Sequence, residues 1–167
     1  MASIGILGGD PNETAAILTR ICQEKGQHPQ IYYHKITENN SIPIVSIDEK
    51  TPIVPKVFIL QEATNYATEV ASELCVDGYL IVNADGPLTK LPAGQNKIIT
   101  YGFNGKASVT ASSVTDESVQ VCIQRGFQSL SGLPYEPQEF KAECSSTADP
   151  LNVLGAVTAC AVCDVLI

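Results

Sequence analysis

Basic residues are scarce in this chain, and long apolar runs are missing from it. The 167 residues include 10 lysines and arginines against 18 aspartates and glutamates, which gives a net charge of −8 at pH 7. This charge repels nucleic acid and anionic lipid, so we expect no nucleic-acid partner. No apolar run approaches the roughly 20 residues that cross a bilayer, and no charged and apolar leader opens the chain. We therefore expect a cytoplasmic protein with no membrane association.

Low-complexity tracts, polar linkers and internal repeats are also missing. Hydrophobic residues make up 44% of the chain, enough to build a core, and the length suits one domain, which we place over residues 1–167. The six cysteines lie mostly in apolar segments of a chain too long to need disulfide staples, so we expect reduced core thiols. They are Cys22, Cys75, Cys122, Cys144, Cys160 and Cys163.

Apolar strands alternate with helical patterns over the first 102 residues. This order, strand then helix then strand, is typical of βαβ units and of a parallel sheet. The predicted strands are SIGIL at 3–7, HPQIYYHK at 28–35, KVFIL at 56–60, GYLIVN at 78–83 and KIITYG at 97–102, and the predicted helices cover 14–22 and 62–75.

The strands change character after about residue 102. Segments 107–115, 118–124 and 139–144 alternate or are rich in β-branched residues, as half-exposed antiparallel strands are. The segment from Asp149 opens with an Asp-Pro helix start and is apolar almost all round, so we expect a buried helix that packs into its own core or against a partner subunit. The predicted fold is α/β: a Rossmann-like, mostly parallel sheet flanked by helices, with a smaller antiparallel sheet in the C-terminal half.

The stretch GGDPNET follows the first strand where a phosphate-binding loop would lie. Such a loop needs glycines, a helix start and a lysine, but the nearest lysine, Lys25, falls at the far end of the predicted helix. The same residues suit a helix cap, with Asp10 as N-cap, Pro11 in the first turn and Glu13 reaching back to the cap. We expect these carboxylates to occupy the place of the phosphates.

Several segments, in one order, resemble the ATP-binding central domain of the Mur ligases. SIGILGGDPNETAAILTRICQEKG is similar to the family's strand, TGTNGKTT-like loop and helix. DGYLIVNADGPLTKLPAGQNKIITYG resembles a family strand that ends in Asn and an acidic turn, followed by a strand ending in Gly. ASVTASSV resembles the next strand, and LNVLGAVTACAVCDVLI resembles the helix that begins with a His-Asn pair in active enzymes.

The sequence differs from the family's pattern mainly at the positions that bind phosphate and magnesium in the active enzymes. In register with the family's loop, Asn12 stands at the phosphate-binding lysine, Pro11 at the preceding glycine and Glu13 at the magnesium-binding hydroxyl. Leu151 replaces the histidine of the His-Asn pair, and only Asn152 remains. The chain also has no counterpart of the family's metal-binding glutamate or of its flanking substrate and C-terminal domains.

The resemblance implies a vestigial nucleotide site at the carboxyl edge of the sheet, with no catalytic residues and no metal ligands. Its residues are Gly8, Gly9, Asp10, Asn12, Asn83, Asp85, Tyr101 and Asn152. Our hypothesis is a pseudoenzyme that needs no cofactor and acts by binding, as a homo-oligomer or in association with a ligase. The alternative is a component of an ATP- and Mg-dependent amide-bond ligase for peptidoglycan precursors, completed by a partner chain.

Cys160-x-x-Cys163 has the spacing of a redox or zinc-binding pair. The pair lies inside the predicted terminal helix, lacks a second pair at ligand spacing and has no flanking positive charge that stabilises a thiolate. Core packing is therefore the interpretation that we favour for both thiols.

Overall fold

A mixed eight-stranded sheet is the centre of the computed structural model, which describes residues 3–9, 11–34, 55–62, 67–69, 71, 77–86 and 97–166. The strands are β1 (Ser3–Leu7), β2 (Gln30–His34), β3 (Val57–Leu60), β4 (Tyr79–Asn83), β5 (Lys97–Tyr101), β6 (Val109–Val114), β7 (Ser118–Ile123), β8 (Phe127–Gln128), β9 (Pro134–Tyr135) and β10 (Gln138–Glu143). The helices are α1 (Pro11–Glu24) and α2 (Pro150–Val162). The sheet order is β2-β1-β3-β4-β5-β6-β7-β10, and β8 and β9 form a separate hairpin.

The five neighbouring strands β2, β1, β3, β4 and β5 run parallel, as the sequence predicts. The chain leaves β1 through α1, pairs β2 on one side of β1, and later returns to pair β3 on the other side. In such doubly wound sheets, ligands bind outside the carboxyl ends of the strands where the strand order reverses. That point here lies between β1 and β3.

Both faces of the central parallel strands β1, β3 and β4 are buried, and successive side chains point to opposite faces. The face toward α1 and α2 carries Ile4, Ile6, Val57, Ile59, Ile81 and Ile99. The other face carries Leu7, Phe58, Leu60, Leu80 and Val82, with Ala67 and Ala71 packed on it. Each of these larger side chains contributes roughly 1.5–3 kcal/mol through burial, so the continuous apolar runs of the sequence account for the sheet.

The antiparallel strands continue the main sheet. Strand β6 joins β5 through the parallel pair Tyr101 and Val109, and β7 and β10 then add antiparallel. The separate small sheet is instead the β8–β9 hairpin, in which the rings of Phe127 and Tyr135 stack at 5.3 Å. Burial, then the charges of Asp164 and Cys160, raises the pKa of Tyr135 to about 12.

The terminal helix α2 packs into the core of its own chain. Every residue from Val153 to Val162 is buried, against α1 and the strands from β3 to β7. The predicted burial is confirmed, and the chain's own core accounts for it, so the apolar character of α2 is not evidence for a partner subunit. No helix in the described part of the chain is both long and apolar enough to cross a membrane.

The predicted helix over 62–75 lies largely outside the described residues. Within it, residues 67–69 and 71 are helical. These four positions place a helix against the second face of the sheet, opposite α1 and α2.

Candidate functional site

The crevice between β1 and β3 is where the fold predicts a ligand, and a side chain of the chain itself fills it. The turn after β1 uses Gly8 and Gly9, both at positive φ (79° and 61°). A Cβ atom on Gly9 would lie 3.1 Å from the Gln61 side chain, which follows β3 directly. Gly9 suits this position because its φ is positive and because Gln61 occupies the space that a side chain would need.

Gln61 is buried and links both helices of the first face. Its Nε2 donates to Thr14 Oγ1 on α1 at 2.8 Å and to Asn152 Oδ1 on α2 at 2.9 Å. Its backbone N–H also donates to the carbonyl of Leu7 at 3.0 Å, which continues the pairing of β3 with β1. Buried polar groups persist when they are hydrogen-bonded, so these bonds hold the Gln61 side chain in the crevice.

The Glu13 carboxylate lies where α1 and α2 begin side by side. It accepts a short hydrogen bond from Asn152 Nδ2, and the backbone N–H of Asp149 lies 3.3 Å from each of its oxygens. Asp149 itself caps α2 by accepting from Leu151 N at 2.9 Å. A carboxylate is favoured here because helix N-termini carry positive partial charge. We call Glu13, Asp149 and Asn152 the Glu13 junction.

Asn83 and Asp85 link the turns that follow β3, β4 and β5 at the same edge of the sheet. Asn83 Nδ2 donates to the Gln61 carbonyl at 3.0 Å, and Asp85 N donates to Asn83 Oδ1 at 2.9 Å. The Asp85 carboxylate accepts from the backbone N–H groups of Phe103 at 2.7 Å and Asn104 at 2.8 Å. Both Asp85 oxygens therefore already bond to the turn after β5.

Gly102 is a strict requirement of this turn. It has φ 147°, and a Cβ there would lie 2.6 Å from Asp85 Oδ1. A side chain at this position would push the Asp85 carboxylate away from the turn that it holds.

The structure brings most of the predicted site residues to one edge, with two exceptions. Tyr101 is buried, and its ring lies under α2, where a Cβ on Gly155 would be 3.0 Å from the Tyr101 ring. Burial, then the charges of Asp149 and Asp85, raises the Tyr101 pKa well above its usual value. Asp10, the predicted N-cap of α1, lies outside the described residues.

Asn12 is exposed on the first turn of α1, next to Glu13. Glu13 contacts α2 across 139 positions of sequence. The predicted bond from Glu13 back to the Asp10 N–H stays a prediction, because it falls partly outside the described residues.

The network is rich in carboxylates. Glu13, Asp85 and Asp149 carry its charges, and none of the hydrogen bonds described above involves a lysine or an arginine. Acids at this edge repel a polyanion, and the amides of Gln61, Asn83 and Asn152 donate hydrogen bonds within the network. The arrangement therefore suits holding the edge together better than phosphoryl transfer.

Sequence reasoning missed Gln61 and Thr14. Neither has a motif signature, because their meeting depends on β3 pairing beside β1 and on α1 covering that point. The one available signal was the position of Gln61 in the sequence. It directly follows β3, and the neighbouring strand β1 is followed by Gly8 and Gly9.

The cysteines do not form a metal site in the part of the chain that the structure describes. No group of three or more metal-binding side chains comes together there. Cys160 and Cys163 are buried in α2 and at its C-cap, with free thiols, as the core-packing interpretation predicts.

No protein-family model matches this chain, and no curated protein matches it significantly. The likeness to the Mur ligase central domain stays a prediction from the sequence segments quoted above.

Proposed function

We propose that this chain is a non-catalytic, Mur-ligase-like domain that acts by binding, as a homo-oligomer or in association with a ligase. The observation that carries the proposal is the Glu13 junction, in which a carboxylate from the first turn of α1 is hydrogen-bonded to Asn152 and Asp149 at the start of α2. An incoming phosphate would have to displace the Glu13 carboxylate, which is part of the chain itself and therefore always present at this position.

The fit of Mg-ATP to these residues is poor in two further respects. Gln61 fills the crevice between β1 and β3, and the Asp85 oxygens are engaged by backbone N–H groups. Phosphoryl transfer depends on cations around the developing charge, and each lost contact of that kind typically costs several kcal/mol. We infer that the chain neither binds Mg-ATP at this edge nor ligates an amino acid.

Exposed apolar side chains support the association part of the proposal. Phe103, on the turn held by Asp85, is 51% exposed, and Leu130 and Leu133 are 37% and 46% exposed in the loop of the β8–β9 hairpin. Apolar side chains on turns are the kind of group that contributes to protein contacts.

Titration of the protein with Mg-ATP in a calorimeter tests the first part. We expect no saturable heat up to millimolar nucleotide, even at low ionic strength where charge-driven binding is strongest. The thermal unfolding temperature should also be unchanged, whereas a true ligand at 100 times its dissociation constant stabilises by about 2.7 kcal/mol. A micromolar dissociation constant would contradict the proposal and favour the ligase component completed by a partner chain.

Light scattering over a range of protein concentrations tests self-association. We expect a mass above that of one 17.8 kDa chain that is the same with and without Mg-ATP, because the contact does not depend on nucleotide. A monodisperse monomer at the highest concentration would rule out the homo-oligomer and leave association with a ligase.

A further inference from the structure

Strand β10 is the last strand at one end of the sheet in the part of the chain that the structure describes, and it pairs there with β7. The outer side of such an edge strand carries backbone N–H and C=O groups with which a further strand can pair. In an antiparallel ladder these groups alternate, residue by residue, between the two sides of a strand. The residues of β10 therefore divide into those that bond to β7 and those whose backbone groups face outward.

Two contacts show which backbone groups of β10 face outward. The N–H of Cys144 donates to the carbonyl of the residue just before β7 at 2.9 Å, which continues the ladder between the two strands. The Glu143 carbonyl instead accepts a hydrogen bond from the Arg20 side chain on α1. Because the direction alternates, the backbone groups of Glu139 and Lys141 face outward like those of Glu143. Arg20 occupies one end of the edge, so its open part lies at Glu139 and Lys141.

The side chains of β10 also divide into two sets, since they alternate between the two faces of the sheet. Phe140 and Ala142 are half-buried and pack against the main core cluster. Glu139, Lys141 and Glu143 are exposed on the opposite face. An exposed ion pair joins Lys141 to Glu143 at 4.0 Å, and ion pairs of this kind contribute little. The open part of the edge therefore carries one acid and one base, two residues apart.

A second copy of β10 fits this edge in one antiparallel register. When Phe140 lies opposite Phe140 of the second copy, Glu139 of each chain lies opposite Lys141 of the other. Both outward-facing residues then occupy hydrogen-bonded positions of the new ladder, and each carboxylate meets an ammonium group. The two Phe140 residues occupy a non-hydrogen-bonded position, where opposite side chains are closest. Centring the pair on Glu139 or on Lys141 instead would place like charges opposite each other.

We propose that two copies of this chain associate edge to edge through β10 in this register, which joins the two sheets across a two-fold axis. This pairing rests on the self-association part of the proposed function and assigns residues to its contact. Charges on an edge strand normally discourage pairing, but the opposite charges of Glu139 and Lys141 make this strand complementary to itself. Because each chain contributes the same edge, the assembly closes at two copies.

Charge reversals at Glu139 and Lys141, followed by sedimentation equilibrium, test the contact. We expect the unaltered chain to reach a mass of twice 17.8 kDa. Each single reversal, Lys141→Glu or Glu139→Lys, turns two cross-strand attractions into two repulsions. Self-association should therefore weaken by roughly 30-fold in either variant. Both side chains are exposed, so the circular dichroism spectrum of each variant should stay native.

Recombining the charges tests the register. An equimolar mixture of the two single variants should form a heterodimer, because one chain then carries two acids and the other two bases at the facing positions. The double variant Glu139→Lys with Lys141→Glu should self-associate like the unaltered chain. Lys106→Glu is the matched control, at an exposed lysine in the turn between β5 and β6, and it should leave the dimer unchanged.

Three results would count against the β10 contact, each in a different way. An oligomer that persists in both single variants would exclude β10 as the contact and leave self-association through another surface. Single variants that weaken the dimer but do not recover it when mixed would overturn the register of Glu139 opposite Lys141. A monomer at every concentration of the unaltered chain would overturn the homo-oligomer itself, and the β10 contact with it.

Discussion

Gly5→Ala should lower the free energy of unfolding by about 3 kcal/mol, the upper end of what overpacking a core usually causes. Gly5 lies in the middle of β1, and a Cβ there would lie 2.5 Å from Cδ1 of Phe58 on β3. The Phe58 ring is fully buried between β1, β4 and the helical residues of the second face. Because neither strand can move without breaking the parallel ladder, the added methyl must displace the ring. Urea unfolding measures the loss, which is a large part of the 5–15 kcal/mol that stabilises a typical domain.

Two variants separate this clash from a general effect of replacing glycine. Gly86→Ala has nothing within 4 Å of the new methyl and should change stability by less than about 0.5 kcal/mol. Combining Gly5→Ala with Phe58→Leu, which removes the ring, should recover part of the loss and give a favourable coupling in a double-mutant cycle. Additive effects of the two changes would show that the ring does not oppose the methyl.

The sequence predicts the strands and helices well where one face, or both, must be buried. β1, β3, β4 and β5 are continuous apolar runs, and α2 has an Asp149-Pro150 start followed by apolar residues on all sides. The β8–β9 hairpin was not predicted, because its strands have two residues each and no periodicity to detect.

Pairing between distant strands is harder to predict than the strands themselves. The half-exposed character of β6 and β7 indicates antiparallel partners correctly. It does not indicate that β6 also pairs with β5 and so joins the main sheet. That junction depends on the short turn between Tyr101 and Val109, where the Asp85 carboxylate holds the backbone.

Only those parts of the candidate site that depend on neighbouring residues in the sequence could be predicted. Asn83 is the last residue of β4 and Asp85 lies two residues beyond it, and parallel strands end at one edge, so their position could be predicted. The partners of Glu13 could not, since Asn152 meets it only after α2 has crossed the sheet beside α1. A cap is a local motif, whereas a junction of two helix starts is a property of the assembled fold.

The double variant Asn12→Lys and Glu13→Ser should create anion binding where the unaltered chain has little. The change removes one negative charge and adds one positive charge at the start of α1, beside the first turn of α2. Two unit charges 4 Å apart interact by about 4 kcal/mol near a protein surface. Allowing for solvent at an exposed position, we expect about 1 kcal/mol from each charge. The affinity for inorganic pyrophosphate should therefore rise by roughly 30-fold, measured by calorimetry, and fall again as salt is added.

The matched control is Gln23→Lys and Glu24→Ser, which makes the same charge change on exposed residues at the other end of α1. Glu24 lies eleven residues beyond Glu13, roughly 16 Å along the helix and about two Debye lengths at physiological salt. Pyrophosphate affinity should stay as in the unaltered chain, because a helix C-terminus repels anions. Equal gains in both variants would mean that overall charge governs binding. No gain in the Asn12 and Glu13 variant, with its fold intact by circular dichroism, would mean that the Glu13 carboxylate is not what keeps phosphate from the two helix starts.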